Sequence, residues 1–351
     1  MVRLKKRISR GRIALATALL LALLLAVACA GGGAGDNGSA SEQAGDADSH
    51  MLSLPQAEVL VTDGEQLRVV ATTSIVGDVV RNVGGDLIDL AVLMGPGQDP
   101  HSYEPAAADL TAAARAHVIF VHGWDLEEGL RDDLSRVSEG ALIVPVAANI
   151  EPLVRGEEDD GDEHEDDDEH GPADPHTWLD PQLVVQWVDN IESILAAADP
   201  ANGEAYAANA GAYREELAAL IATYDEQLAQ IPPQRRKLVT NHDALAYFAK
   251  AYDFEVVGTV IPGSSTLAEP SASGLAGLVR DMEQAGVCTI FTETTVSAQL
   301  AQTAADELTT CDEVQVVPLY TGAIGDAESG AGSYIEMMRA NVEAIVQGLG
   351  Q

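Results

Sequence analysis

Between residues 204 and 230 the side chains Tyr206, Tyr213, Leu217, Leu220, Ile221, Tyr224 and Leu228 fall at helical intervals, with Arg214, Glu215, Glu216 and Asp225 between them. That spacing predicts one amphipathic helix of about seven turns. Ile231-Pro232-Pro233 ends it, because proline can neither donate to the ladder nor fit inside the helix. So long a rod in mid-chain obliges the remaining sequence to fold on its two sides. On each side, short Val/Ile-rich runs alternate with helical patterns. Strands are predicted over 68–73, 90–94, 118–121 and 142–146, with helices over 75–83 and 106–114. Beyond the long helix, strands are predicted over 237–240, 255–261, 289–292 and 314–319. Helices there are expected over 245–251, 275–285, 298–308 and 334–349. Strands apolar on both faces suit a covered parallel sheet, and the alternation is βαβ rhythm. The expected fold is α/β, with two lobes, each a mainly parallel sheet flanked by helices, joined by one long rigid helix. Residues 67–200 form the first lobe, 201–233 the linking helix and 234–351 the second lobe.

The N-terminus reads as a targeting segment. Arg3, Lys5, Lys6, Arg7, Arg10 and Arg12 precede an apolar run over 13–27, and Ala26-Val27-Ala28-Cys29 follows. This is the tripartite form of a secretory signal over 1–28, too short for a comfortable membrane span. It is similar to a bacterial lipobox, which would place a lipid on Cys29; plain secretion with cleavage nearby is the alternative. Residues 29–66 then read as a flexible tether, since 31–49 are rich in Gly, Ala, Ser and Asp and cannot build a core. The expected location is extracytoplasmic and membrane-anchored, at the cell surface or in the periplasm. In such an oxidising compartment Cys288 and Cys311 can pair, bracing neighbouring strand starts; two buried thiols are the alternative. The chain of 351 residues carries a formal net charge of −37. Six of its 19 basic residues lie in the leader, so the rest is more acidic still. That balance argues against nucleic acid and favours a cationic ligand.

Two segments echo each other: Asp99-Pro100-His101-Ser102-Tyr103-Glu104-Pro105 and Asp174-Pro175-His176-Thr177-Trp178-Leu179-Asp180-Pro181. Each sets a histidine between a proline and a hydroxyl residue, with an aromatic next. Prolines stiffen the loop, and a rigid, half-buried imidazole is what a metal site requires. A third histidine, His242, follows the strand 237–240, where open α/β sheets place ligands. A cation held by all three would lie in the cleft between the lobes. Eleven of the fourteen residues in 157–170 are acidic, and the other three include His164 and His170, possible additional metal contacts. Like charges at this density repel, so this loop is expected to be disordered.

These residues resemble the solute-binding receptors of zinc and manganese ABC importers. The resemblance is carried by Val70-Ala71-Thr72-Thr73-Ser74-Ile75, both Asp-Pro-His segments, and His242-Asp243-Ala244-Leu245-Ala246-Tyr247-Phe248. It continues through Phe291-Thr292-Glu293 and Tyr334-Ile335-Glu336-Met337-Met338-Arg339-Ala340-Asn341-Val342. It implies that His101, His176 and His242 are metal ligands and that Glu293 lies close to the site, orienting an imidazole or serving as fourth ligand. Manganese-type relatives carry a carboxylate where His242 stands, so an all-nitrogen set favours Zn(II), with Mn(II) less favoured. Where the family often supplies a fourth ligand from an Asp, this chain has Gly322, leaving that position to water, Glu293 or Asp326. The implied function is non-catalytic capture of Zn(II) and delivery to a membrane permease, by a monomer, with affinity falling as the histidines protonate. The alternatives are a zinc hydrolase, since three His with an open position can activate water, and a surface adhesin or metal buffer.

Overall fold

The protein is described from a computed structural model covering residues 50–61, 64–138, 140–154 and 172–350. In the first lobe β1 (Leu67–Ala71), α1 (Ser74–Gly84), β2 (Ile88–Val92), α2 (Ala107–Ala113), β3 (Val118–Val121), α3 (Arg131–Val137) and β4 (Leu142–Pro145) succeed one another. The strands are parallel, in the order β2-β1-β3-β4. The second lobe contains β5 (Lys237–Thr240), α6 (Ala246–Tyr252), β6 (Glu255–Thr259), α7 (Ala272–Ala285), β7 (Thr289–Glu293), α8 (Gln299–Glu307), β8 (Gln315–Leu319) and α9 (Tyr334–Gly350). Its order, β6-β5-β7-β8, repeats the first sheet strand for strand. In this topology the chain changes winding direction beside the first strand of each sheet. The crevice there, at the strands' carboxyl ends, is where open α/β sheets bind ligands.

Between the lobes run α4 (Pro181–Ala198) and α5 (Gly203–Leu228), the latter 26 residues long. The sequence expectations contain α5 but not α4, although Val184, Trp187, Val188, Ile191, Ile194 and Leu195 recur helically and are buried. Pro181 opens α4, and Asp180 caps it by accepting from the Gln182 amide at 2.9 Å. Tyr206, Ala210, Tyr213, Leu217, Leu220, Tyr224 and Leu228 form the buried stripe of α5. The long helix is therefore half of a helix pair, and the stripe belongs to a core containing Val69 and Trp187 as well as Phe291 and Tyr334. Direct bonds tie the lobes too. The Tyr334 amide donates to Asp78 Oδ2 at 2.9 Å, the Tyr334 hydroxyl to the Trp178 carbonyl at 2.7 Å, and Trp178 Nε1 to the Thr321 carbonyl at 2.7 Å. Burial pushes the Asp78 carboxyl up, partly countered by the Tyr334 amide.

Residues 50–61, inside the stretch whose composition suggests a tether, lie against the first lobe. The Asn149 amide donates to the Leu52 carbonyl at 2.8 Å, and the Leu60 amide to the Ala198 carbonyl at 2.9 Å. The leader and Cys29 lie outside the described residues. Cys288 and Cys311 are bonded, with Cα atoms 5.9 Å apart, just before β7 and β8. Gly286, whose φ of 66° suits glycine, turns the chain out of α7 toward that bond.

Candidate metal centre

Both Asp-Pro-His segments fold the same way locally. In each, the aspartate accepts from the backbone amide of the histidine two residues on, Asp99 from His101 at 3.0 Å and Asp174 from His176 at 2.9 Å. Such Asx turns, with proline fixing the middle residue, hold the imidazole at a set angle without a helix or strand. The rings are then held differently. Asp174 Oδ1 also accepts from His176 Nδ1 at 2.8 Å. Asp99 is instead turned to Ser102 Oγ at 2.9 Å and, across the lobes, to Thr266 Oγ1 at 2.6 Å. The aromatics differ as well. Trp178 lies against His176, ring centroids 5.2 Å apart, whereas the Tyr103 hydroxyl donates to Asp109 Oδ2 at 2.6 Å, with the Leu93 carbonyl also near at 3.1 Å.

His242 leaves the carboxyl end of β5, pinned by Thr240 Oγ1 donating to its carbonyl at 2.7 Å. Glu293, the last residue of β7 and thus across the crevice of the second sheet, bonds His242 Nδ1 through Oε1. Its other oxygen accepts from Thr321 Oγ1 at 2.6 Å. The third ring, His101, directs Nδ1 to Glu128 Oε1 at 3.3 Å. Each of the three imidazoles thus gives its Nδ1 proton to a carboxylate, which leaves the Nε2 lone pair free on every ring.

Those lone pairs converge. His176 Nε2 lies 3.3 Å from His101 Nε2 and 3.0 Å from His242 Nε2. Among the described residues these three form the group of His, Cys, Asp and Glu whose ligand atoms gather within 4.8 Å. Lone pairs so placed repel unless a cation lies among them. Nitrogens about 2.0 Å from a tetrahedral ion would be roughly 3.3 Å apart, close to the 3.3 and 3.0 Å of the two pairs that include His176. The rings are 4%, 1% and 2% exposed for His101, His176 and His242. Burial pushes His176 down to about 3 against the pull of Asp174, and lowers His101 with help from His242. Both rings are therefore neutral at neutral pH, the form that ligates.

The remaining sequence candidates fall as follows. Glu293 sits on the outer nitrogen of His242 and not among the Nε2 atoms. Asp326 is exposed, its Oδ1 accepting from the Glu328 amide at 3.1 Å, and is not part of the cluster. Gly322 is buried against the first histidine loop, and a Cβ there would come within 3.2 Å of both Pro100 Cδ and Thr295 Oγ1. His164 and His170 lie outside the described residues. The chain on either side of that acidic stretch is drawn together by a Val154–Ala173 bridge, and by the Asp174 amide donating to the Leu153 carbonyl at 2.8 Å.

Sequence reasoning missed Glu128 and the buried pair behind it. His122 accepts from Thr177 Oγ1 at 3.0 Å and donates from Nδ1 to the Gly123 carbonyl at 3.1 Å, walled by Trp178 and Trp187. Burial pushes it down to about 4. Glu127, also buried, accepts from Thr72 Oγ1 at 2.5 Å and from the His122 amide at 2.8 Å. The available signal was position: all three follow β3, at the carboxyl end of a parallel strand beside the crevice of the first sheet.

The fold is two-lobed, and the Nε2 atoms of three buried histidines converge within it. The sequence matches the family described as "Zinc-uptake complex component A periplasmic" (ZnuA) over residues 69–348, and the chain belongs to that family. It is 33% identical over 291 residues to the manganese-binding lipoprotein MntA of Halalkalibacterium halodurans, covering 82% of this chain and 90% of that one. The solved structure of the periplasmic zinc-binding protein TroA from Treponema pallidum superposes with a TM-score of 0.72 at 29% identity, covering 81% of this chain and 99% of that one. A Mn-bound periplasmic metal-binding protein from Candidatus Liberibacter asiaticus gives 0.69 at 26% identity, with 81% and 100% covered. The chain is thus a metal-binding receptor of ABC-type uptake and not an enzyme. It works outside the cytoplasm as an anchored lipoprotein. No helix among the described residues is long and apolar enough to cross a membrane.

Proposed function

We propose that this receptor captures Zn(II) through His101, His176 and His242, in the cleft between the lobes, and delivers it as a monomer to its permease. The observation that carries the reading is the convergence of three Nε2 atoms whose rings are each tied through Nδ1 to a carboxylate. Such outer bonds fix the tautomer and raise the basicity of the ligating nitrogen. The choice of zinc rests on donor chemistry: three imidazoles and no carboxylate among the converging atoms suit Zn(II) better than Mn(II), whose preferred donors are oxygens. Water completes the four-coordinate shell, because Gly322 supplies no side chain. The relatives named for manganese make Mn(II) the reading to beat. Equilibrium dialysis of metal-free protein against equimolar Zn(II) and Mn(II) tests this. One equivalent of zinc is expected, lost on His176→Ala; retention of manganese in preference would overturn the assignment.

A further inference from the structure

The triad is buried, yet one of its members borders solvent. His101 lines a cavity of about 420 Å³ together with Trp124, Asp125, Glu128, Arg131 and Pro175. Gly123, just before this wall, and Trp124 and Asp125 within it all have positive φ, 113°, 47° and 55°. Three successive left-handed residues, two of them not glycine, are held only where surrounding contacts over-determine them. Here Trp124 Nε1 donates to the His50 carbonyl at 2.8 Å, and buried Glu127 closes the loop by accepting from the His122 amide and ties it to the end of β1 by accepting from Thr72. The loop delivers Glu128 to a particular place, with one oxygen on His101 Nδ1 and a side chain 40% exposed. By contrast, Asp174 and Glu293, the partners of the other two rings, are almost wholly buried, at 0% and 3%. Arg131 lies on the same wall but is paired with Asp125 at 2.9 Å, so among the described residues no Arg or Lys of this wall pairs with Glu128.

We infer that the cation reaches the triad through this cavity, along the His101 face, and that Glu128 is the residue that conducts it. Its carboxylate meets the incoming dication first and then, bonded to Nδ1, holds the His101 Nε2 toward the ion. This rests on the reading of the triad as the zinc site and adds the route to it. The two roles separate kinetically. Attraction by a fixed charge acts on association, whereas orientation of a bound ligand acts on dissociation.

Stopped-flow zinc binding to metal-free protein, followed by tryptophan fluorescence, tests the route. The variants are Glu128→Gln, which keeps an acceptor oxygen for Nδ1 but removes the charge, and Asp312→Asn. Asp312 is an exposed control beside the amino ends of the second lobe's strands. At low ionic strength Glu128→Gln should slow association about three- to tenfold, the size expected for one charge acting on a dication a few ångströms away. It should flatten the salt dependence and leave dissociation within about twofold. Asp312→Asn should bind like the wild type. Unchanged association in Glu128→Gln, a loss confined to dissociation, or an equal loss in Asp312→Asn would each overturn the route. Failure of the wild type to take up zinc would instead overturn the reading beneath it.

Discussion

At the scale of residues, the site is three copies of one device, an imidazole oriented from behind by a carboxylate. Glu293 is the clearest case, since it spends one oxygen on His242 Nδ1 and the other on Thr321. Glu293→Ala, which removes the acceptor altogether, should therefore weaken zinc binding about 10- to 100-fold with the fold intact. Competition against a chromophoric chelator would measure it, and unchanged affinity would show that the contact is incidental. The converging histidines were legible in the sequence, two because Asp-Pro-His is a local arrangement in which a turn, a rigid φ and a ring lie within three residues, and His242 because it follows a strand. Glu128 was not, because its meeting with His101 depends on a left-handed loop 27 positions away that no local pattern announces. His122 was hidden for the same reason, and it carries a pH prediction. Its folded value of about 4 lies below the ordinary 6.5, so the unfolded chain binds the extra proton first. Its contribution to stability is fully present above about pH 6.5 and is lost as pH falls toward 4. Metal-free wild type should accordingly lose about 2 kcal/mol more than His122→Asn between pH 7.5 and pH 5 in denaturant unfolding. Equal losses would mean that His122 does not titrate as its surroundings require.

At the scale of elements, the βαβ rhythm was readable because each strand is apolar on both faces, and all eight predicted strands lie close to where they form. Periodicity also revealed α5. It did not convey that α5 is one of a pair, since α4 follows directly on the second histidine loop and its apolar positions read as a continuation of the first lobe. What periodicity cannot supply is which helix faces which. The Cys288–Cys311 bond belongs to this scale as well. It joins the amino ends of β7 and β8, whereas His242 and Glu293 stand at carboxyl ends. Replacing both cysteines by serine should cost roughly 3 kcal/mol, the loop-closure value for a separation of 23 residues. Zinc affinity should be unchanged. A variant that folded normally but bound zinc weakly would show that the amino ends of the sheet are coupled to the site.

At the scale of the whole molecule, two lobes of one topology share one of the protein's buried cores through α5, and they are bonded again at Trp178 and Tyr334 beside the site. A receptor braced in this way keeps its ligands in place before the ion arrives. The net charge of −37 draws cations to it, and on the proposed reading the carboxylates behind the rings would balance a bound dication. Everything turns on what surrounds the metal. X-ray absorption at the zinc edge of the loaded protein reads that surrounding directly. Three imidazole nitrogens and one oxygen at about 2.0 Å are expected, the imidazoles recognisable by their outer-ring scattering. A shell with fewer than three imidazoles, or one dominated by carboxylate oxygens, would contradict the account.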